Sequence, residues 1–258
     1  MEFSIPERVG DMTGSAFAAT IEHMAPGLAR DLAIYQQFEL GNVPAFMREP
    51  KKLEVTVADR VVELAVLPDV LCVGTNEDFL RIVLFPETLQ KVADLFGASL
   101  ITPTISDLIW KSADVVIDPT RVTMPPTVEM VTTKWFVEQN AKIEKERAGR
   151  EGLIAGHKKD IVIANSLADY PHAVAIYGWH QRSGVPIQGL NPSRGIPANH
   201  VHDRHYVDYS HGCRLIAETV LVDGQPWSFS AVAQDATLCA AVNGKYGPLN
   251  VFRYLVEE

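Results

Sequence analysis

The chain has 258 residues, 47% of them hydrophobic and 21% charged, with a formal net charge of −9 at pH 7. That length can bury a sizeable core, and the composition is that of a folded chain rather than a disordered or fibrous one. The acidic balance argues against nucleic acid as a partner, because neutralising phosphates needs a basic face.

No apolar run approaches the roughly 18 residues of a membrane span, so no membrane span is expected. The start, MEFSIPERVGDM, has neither a basic stretch nor an apolar centre and does not read as a signal peptide. The expectation is a cytoplasmic chain, or an exported one whose signal has been removed. Cys72, Cys213 and Cys239 are odd in number and lack metal-type spacing, so no disulfide framework is expected.

The first fifty residues read as helical. In APGLARDLAIYQQFEL, Leu28, Leu32, Tyr35 and Phe38 or Glu39 follow helical spacing, and Gly41 stands where a helix would stop. GNVPAFMREP then bends the chain with two prolines. KLEVTVA alternates Leu53, Val55 and Val57 with Glu54 and Thr56, and VVELAVL and DVLCVG are short and β-branched. Together they predict a small antiparallel sheet. FPETLQKVADLFG predicts a helix with Pro86 in its first turn, Leu89, Val92, Ala93 and Phe96 on one face, and Gly97 at its end. TISDLIWKSA predicts a shorter helix, with Thr104 and Asp107 spaced like a capping box.

The proline-rich DPTRVTMPPT is the candidate boundary between a helical and small-sheet part, 1–118, and a β-rich part, 119–258; the two could also form one integrated domain. A helix is predicted over EMVTTKWFVEQNAKIEKERAG, with the mixed charges of KIEKERAGRE as its solvated face. From Gly156 onward KDIVIAN, HAVAIYGW, CRLIAETVLVDG and PWSFSAV read as strands, and Asp223-Gly224 as a hairpin turn. Helices followed by strands predict an α+β fold: a helical N-terminal part with a small antiparallel sheet, and a β-rich C-terminal half carrying the site.

Seven of the eight histidines fall between His157 and His211. Histidine suits proton transfer near neutral pH and metal ligation. Three polar blocks stand at strand ends: His157, Lys158, Lys159 and Asp160; Tyr177, Trp179 and His180; and Tyr206, Asp208, Tyr209, Ser210 and His211. Polar groups at strand ends commonly assemble a site. For Lys158 alone, the bland expectation is a solvated lysine.

Three chemistries compete for these residues. A zinc site could use His180, His202 and His211. HVHDRH resembles the His-x-His-x-Asp-His motif of metallo-β-lactamases, but Asp203 falls one position early and turn-rich NPSRGIPAN replaces the preceding strand. SHGCRL resembles the active-site segment of L,D-transpeptidases, which would make Cys213 a thiolate nucleophile. It departs from that pattern because Arg214 follows Cys213 directly and no glycine follows His180. Metal-free chemistry would place Asp208 and Ser210 on one face of a strand and draw a histidine from elsewhere.

The blocks GNVPAFMR, GTNEDFLRIVL, GHKKDIVI, AIYGWH, PIQ and YVDYSHG followed by RL resemble, over roughly Gly14 to Leu221, a bacterial family with no established activity. The resemblance implies shared residue types at Lys158, Lys159, Asp160, Tyr177, Trp179, His180, Gln188, His202, Tyr206, Asp208, Ser210, His211 and Arg214. It implies an aliphatic residue at the position of Cys213, no shared histidine at His200 or His205, and export in many members.

The expected function is a hydrolase of an amide, ester or glycosidic bond using histidine-assisted acid–base chemistry. His180, His202 and His211 are the proton-transfer candidates, Asp208 their orienting carboxylate and Ser210 a candidate nucleophile. Lys158, Lys159, Asp160, Tyr177, Trp179, Gln188, Tyr206 and Arg214 are the substrate-binding candidates, for a small-molecule, glycan or peptide substrate. No cofactor is expected, with zinc as the exception considered. The alternatives are a non-catalytic glycan- or peptide-binding protein, a zinc-dependent hydrolase, and a cysteine enzyme like the L,D-transpeptidases. The catalytic reading requires His180, His202 and His211 to meet, with a carboxylate, in one water-accessible hollow.

Overall fold

The computed structural model describes residues 1–119, 127–193 and 195–256. In chain order, helices α1 (Gly14–Ile21) and α2 (Leu28–Glu39) precede strands β1 (Lys51–Val57), β2 (Arg60–Val66), β3 (Cys72–Gly74) and β4 (Phe79–Arg81). Next come α3 (Pro86–Leu95), β5 (Ala98–Leu100), α4 (Pro103–Lys111), β6 (Val115–Val116), α5 (Thr127–Met130) and α6 (Thr133–Arg147). Then follow β7 (Ile154–Ala155), β8 (Lys159–Ile161), β9 (Ile176–His180), β10 (Pro186–Asn191), β11 (His211–Gly212) and β12 (Leu215–Ala217). The last elements are β13 (Thr219–Val222), β14 (Gln225–Ser228), α7 (Phe229–Gln234) and α8 (Cys239–Asn243). The fold is α+β.

The larger sheet runs β14-β13-β2-β12-β5, with β1 also paired to β2, and its pairs are antiparallel. β2 thus bonds to strands from the far side of the proline-rich segment. Residues 120–126 of that segment lie outside the described residues. The second sheet runs β10-β9-β8-β11 and carries the candidate site. One hydrophobic cluster joins Phe17, Leu64, Phe96, Ile161, Ile216 and Phe229. No described helix is long and apolar enough to cross a membrane.

α3 follows its sequence pattern: Leu89, Val92, Ala93 and Phe96 are buried, Pro86 opens the helix, and Gly97 takes the left-handed φ of +59°. Full burial of the Leu, Val and Phe side chains contributes roughly 1.5–3 kcal/mol each. Asp223 and Gly224, with φ of +50° and +76°, join β13 to β14 as the turn signal requires.

Four expectations are corrected. α2 turns Leu28 and Leu32 to solvent and buries Arg30, Asp31, Ile34 and Phe38, because Asp31 accepts a hydrogen bond from the Phe85 backbone N–H at 2.7 Å. α4 is capped by the Thr102 hydroxyl, which accepts from the Ile105 N–H, so Thr104 and Asp107 form no capping box. The long predicted helix breaks between Met130 and Thr133. PWSFSAV leaves its strand at Ser228, whose hydroxyl caps α7.

Candidate functional site

β8 lies between β9 and β11. Lys159 pairs with Gly178 on one side and His211 on the other; Asp160 pairs with Tyr177 and Gly212. Successive side chains leave opposite faces of a strand. Lys159 and His211 therefore share one face, and Asp160 and Tyr177 share the other.

The Lys159 face carries a turn that orders four polar side chains. Asp208 Oδ1 accepts from the Ser210 backbone N–H at 2.8 Å and from its hydroxyl at 2.6 Å, while the Tyr206 hydroxyl donates to Oδ2 at 3.3 Å. Burial works against the Asp208 carboxylate, but His211, the Ser210 hydrogen bonds and Lys159 outweigh it and hold the group at about 2. The Asp208 backbone N–H donates to His211 Nδ1 at 2.8 Å, which leaves the ring proton on Nε2. His211 is fully buried, and burial pushes it down to about 4. Its Nε2 has no hydrogen-bond partner among the described residues.

The His202 ring stacks on Tyr206, with centroids 4.9 Å apart, and meets His211 edge-on at 6.3 Å. Burial and then Lys159 lower the His202 pKa, so its imidazole is neutral near pH 7. His202 also lines a hollow of about 370 Å³ with Tyr170, His172 and Asp203. The Lys159 ammonium lies 4.9 Å from the centre of the Trp179 ring. Trp179 is buried and has a φ of +56°, a strained conformation for a bulky residue. Gln188 is half-buried opposite Gly178, and its amide donates to the Gly189 carbonyl.

The other face is covered by α4. The Ser106 hydroxyl donates to Asp160 Oδ2 at 2.6 Å. Asp107 Oδ1 accepts from His180 Nε2 at 2.7 Å and from the Tyr177 hydroxyl at 3.0 Å. Burial and then Asp107 raise the Tyr177 pKa. The His180 side chain is 4% exposed and that of Asp107 40%, so the pair reaches solvent through the carboxylate. Trp110 stacks on His180 with centroids 6.0 Å apart. Gly178, at φ +101°, is needed here: a Cβ would lie 3.0 Å from Ser106 Oγ and 3.3 Å from the His180 ring.

The expected meeting of three histidines is therefore corrected. His202, His211 and Asp208 come together with Lys159, Tyr206 and Ser210. His180 belongs to α4, Asp107 and Tyr177. The division comes from a break in the alternation of β9: Gly178 and Trp179, at φ +101° and +56°, turn His180 towards α4 although its register would place it with Lys159. Among the described residues no three His, Cys, Asp or Glu side chains are grouped to hold a metal. The zinc set His180, His202 and His211 is not assembled.

Further candidates lie in the interior. Arg214 is buried and donates to the Leu67 carbonyl at 2.9 Å and the Ile154 carbonyl at 2.7 Å, which ties it to the interior. Lys158, read from sequence as solvated, is buried and donates to the Tyr209 carbonyl. Asp160 is likewise buried and committed to Ser106. The expected strand around Ser210 is a turn, so Asp208 and His211 face each other instead of opposite sides. Cys213 is fully buried, and burial pushes its thiol up to about 12, the reverse of what a thiolate nucleophile needs.

Sequence reasoning missed Asp107 because its spacing from Thr104 suggested a helix cap. It also missed a buried ionic network. Asp69 accepts from Arg81 Nε at 3.0 Å and Nη2 at 2.7 Å, His157 Nε2 lies 3.0 Å from its other oxygen, and Arg81 reaches Glu144 at 2.8 Å. Burial opposes the Asp69 carboxylate, but Arg81 and His157 hold it well below the usual range. These charges are far apart along the chain, and no local spacing announces them.

No protein-family model, curated protein or solved structure matches this chain.

Proposed function

We propose that this chain is a hydrolase of an amide, ester or glycosidic bond, working by histidine-assisted general acid–base chemistry on the face that carries Lys159 and His211. One observation carries the reading. His211 is locked as the Nε2–H tautomer in a site that keeps it neutral, with that donor unpartnered beside His202. A buried, unpaired donor costs free energy, and a catalytic role is one of the explanations for keeping it.

The division of labour follows from the surroundings. His202 is half-buried and neutral, so it can take a proton from water as the water oxygen attacks the substrate. With an ester or amide, the Lys159 charge and the His211 Nε2–H, once its buried ring is opened to substrate, would stabilise the oxyanion of the tetrahedral intermediate. His202 then returns its proton to the leaving group. Tyr206 orients His202 by stacking. Ser210 is not the nucleophile in this scheme, because its hydroxyl donates to the Asp208 carboxylate rather than to a histidine base. Direct attack by water is the simpler route.

A panel of nitrophenyl esters, nitroanilides and nitrophenyl glycosides tests the proposal. The expected result is turnover of one class, cut roughly 10²–10⁴-fold by His202→Ala or His211→Ala, with affinity nearly kept and Ser210→Ala close to the parent. The second reading, a non-catalytic glycan- or peptide-binding protein, is favoured by the stacked His202–Tyr206 pair and the Trp179 ring beside Lys159. It predicts no turnover in the parent and lost affinity in the same variants.

A further inference from the structure

The turn that holds Asp208, Ser210 and His211 hangs from two consecutive lysines. The Lys159 backbone N–H donates to the Ser210 carbonyl at 2.7 Å. The Lys158 side chain donates to the preceding carbonyl, that of Tyr209. On its other side the turn is fixed by the Tyr209 N–H, which donates to the Met130 carbonyl at 3.0 Å, and by contact of the Tyr209 and Trp135 rings. Lys158 can reach the turn because residue 212 has no side chain. A Cβ on Gly212 would lie 2.8 Å from Lys158 Cβ, 3.3 Å from its Cγ and 2.6 Å from Val70 Cγ1. The glycine of the Ser-His-Gly stretch and the first lysine of the Lys-Lys-Asp stretch are thus two halves of one arrangement.

We propose that Lys158 is the positioning residue of the site: its ammonium grips the Tyr209 carbonyl, holds the turn that fixes the His211 tautomer, and loosens that turn when it loses its proton. The proposal rests on the reading of His211 given above. Lys158 touches neither His202 nor a substrate in this scheme and acts through the backbone.

The surroundings make the grip sensitive to pH. Lys158 is 5% exposed. Burial, and then the Arg81 charge on β4, lower its pKa to about 7 against the pull of Asp208, Asp69 and Cys213. The other titratable groups that share a water-sized space with it are His157 and Asp160 on either side in the chain, His180 on β9 and Arg214 next to β12. At pH 6 the ammonium donates a charge-assisted hydrogen bond to the carbonyl; at pH 8.5 the neutral amine donates a weaker one.

The test is NMR on the intact chain between pH 5.5 and 9, following the Tyr209 carbonyl carbon and the His211 ring nitrogens. In the parent the Tyr209 carbonyl is expected to titrate once, near pH 7. In Lys158→Met that titration disappears, and the two His211 nitrogens lose the wide shift separation of a single tautomer. Methionine removes a buried charge while keeping the volume, so the variant is expected to fold. Gly212→Ala keeps the lysine but crowds its stem, and should also narrow the His211 separation. A Tyr209 carbonyl flat over the whole range in the parent overturns the proposal without any variant. So do His211 signals identical to the parent in Lys158→Met. Neither readout involves turnover, so a failed search for substrate leaves this result standing.

Discussion

The backbone N–H of Asp208 meets Nδ1 of His211 at 2.8 Å, and that one bond decides which ring nitrogen carries the proton. Burial opposes a charge on this ring, with Lys159, His202 and Lys158 adding to the effect against the pull of Asp208, so folding lowers the His211 pKa from 6.5 to about 4. The unfolded chain takes up the proton first as pH falls. His211 therefore costs the folded state stability as pH drops from about 6.5 towards 4. A shift of this size corresponds to roughly 3 kcal/mol at most. As pH falls from 7 to 4.5 the urea midpoint of His211→Phe should rise relative to that of the parent, because only the parent carries this loss. Equal slopes in the two proteins would show that the ring is not held neutral.

Asp31 works in the opposite direction. It is buried on α2, and burial raises its carboxyl to about 6 although the Phe85 N–H and Arg30 favour the charge. The unfolded chain gives up this proton near 3.8 and the folded chain near 6, so stability is lost as pH rises through that window. Asp31→Asn keeps an acceptor for the Phe85 N–H and removes the buried charge. It should stabilise the protein by about 1–3 kcal/mol at pH 8 and have little effect at pH 4. Denaturation at those two pH values checks both halves; destabilisation at pH 8 would mean that the charge is needed.

The elements that were legible in the sequence are those whose pattern is local. Pro86, Leu89, Val92, Phe96 and Gly97 announce α3 because one helix face and its ends lie within a dozen residues. Asp223-Gly224 announces its hairpin for the same reason. The site was half legible. His202, Tyr206, Asp208, Ser210 and His211 are close in sequence and meet in space. The separation of His180 from them was not legible, because it depends on which way β8 and β9 turn their side chains towards α4. Asp107 was hidden by a capping pattern that Thr102 fills instead. Leu28 and Leu32 misled because apolar spacing finds a helix without telling which face the rest of the chain covers.

Asp69 and Arg81 form a buried pair whose worth depends on keeping both partners. Each is almost fully enclosed, and the Arg81 guanidinium also serves Asn140 and Glu144. Removing one partner strands a charge where water cannot reach it. Asp69→Asn or Arg81→Met should each destabilise by about 3–5 kcal/mol. The double variant should lose clearly less than the sum. Additive losses in a double-mutant cycle by urea unfolding would show that the pair does not act as a unit.

His180 and His211 should behave as strangers, and stability can show it without a substrate. Among the described residues, His180 meets Asp107, Trp110 and Tyr177, while His211 meets His202, Tyr206 and Asp208; the two sets share no member. Substitutions without shared partners add within roughly 0.5 kcal/mol, whereas members of one hydrogen-bonded pair couple by about 0.5–3 kcal/mol. His180→Ala with His211→Ala should therefore be additive. His180→Ala with Asp107→Asn should not, because either change alone removes the same 2.7 Å hydrogen bond. If the two histidines couple more strongly than His180 and Asp107 do, the division of the polar residues between two faces of the sheet is wrong. The hydrolase reading would then have to be rebuilt around a single joined site.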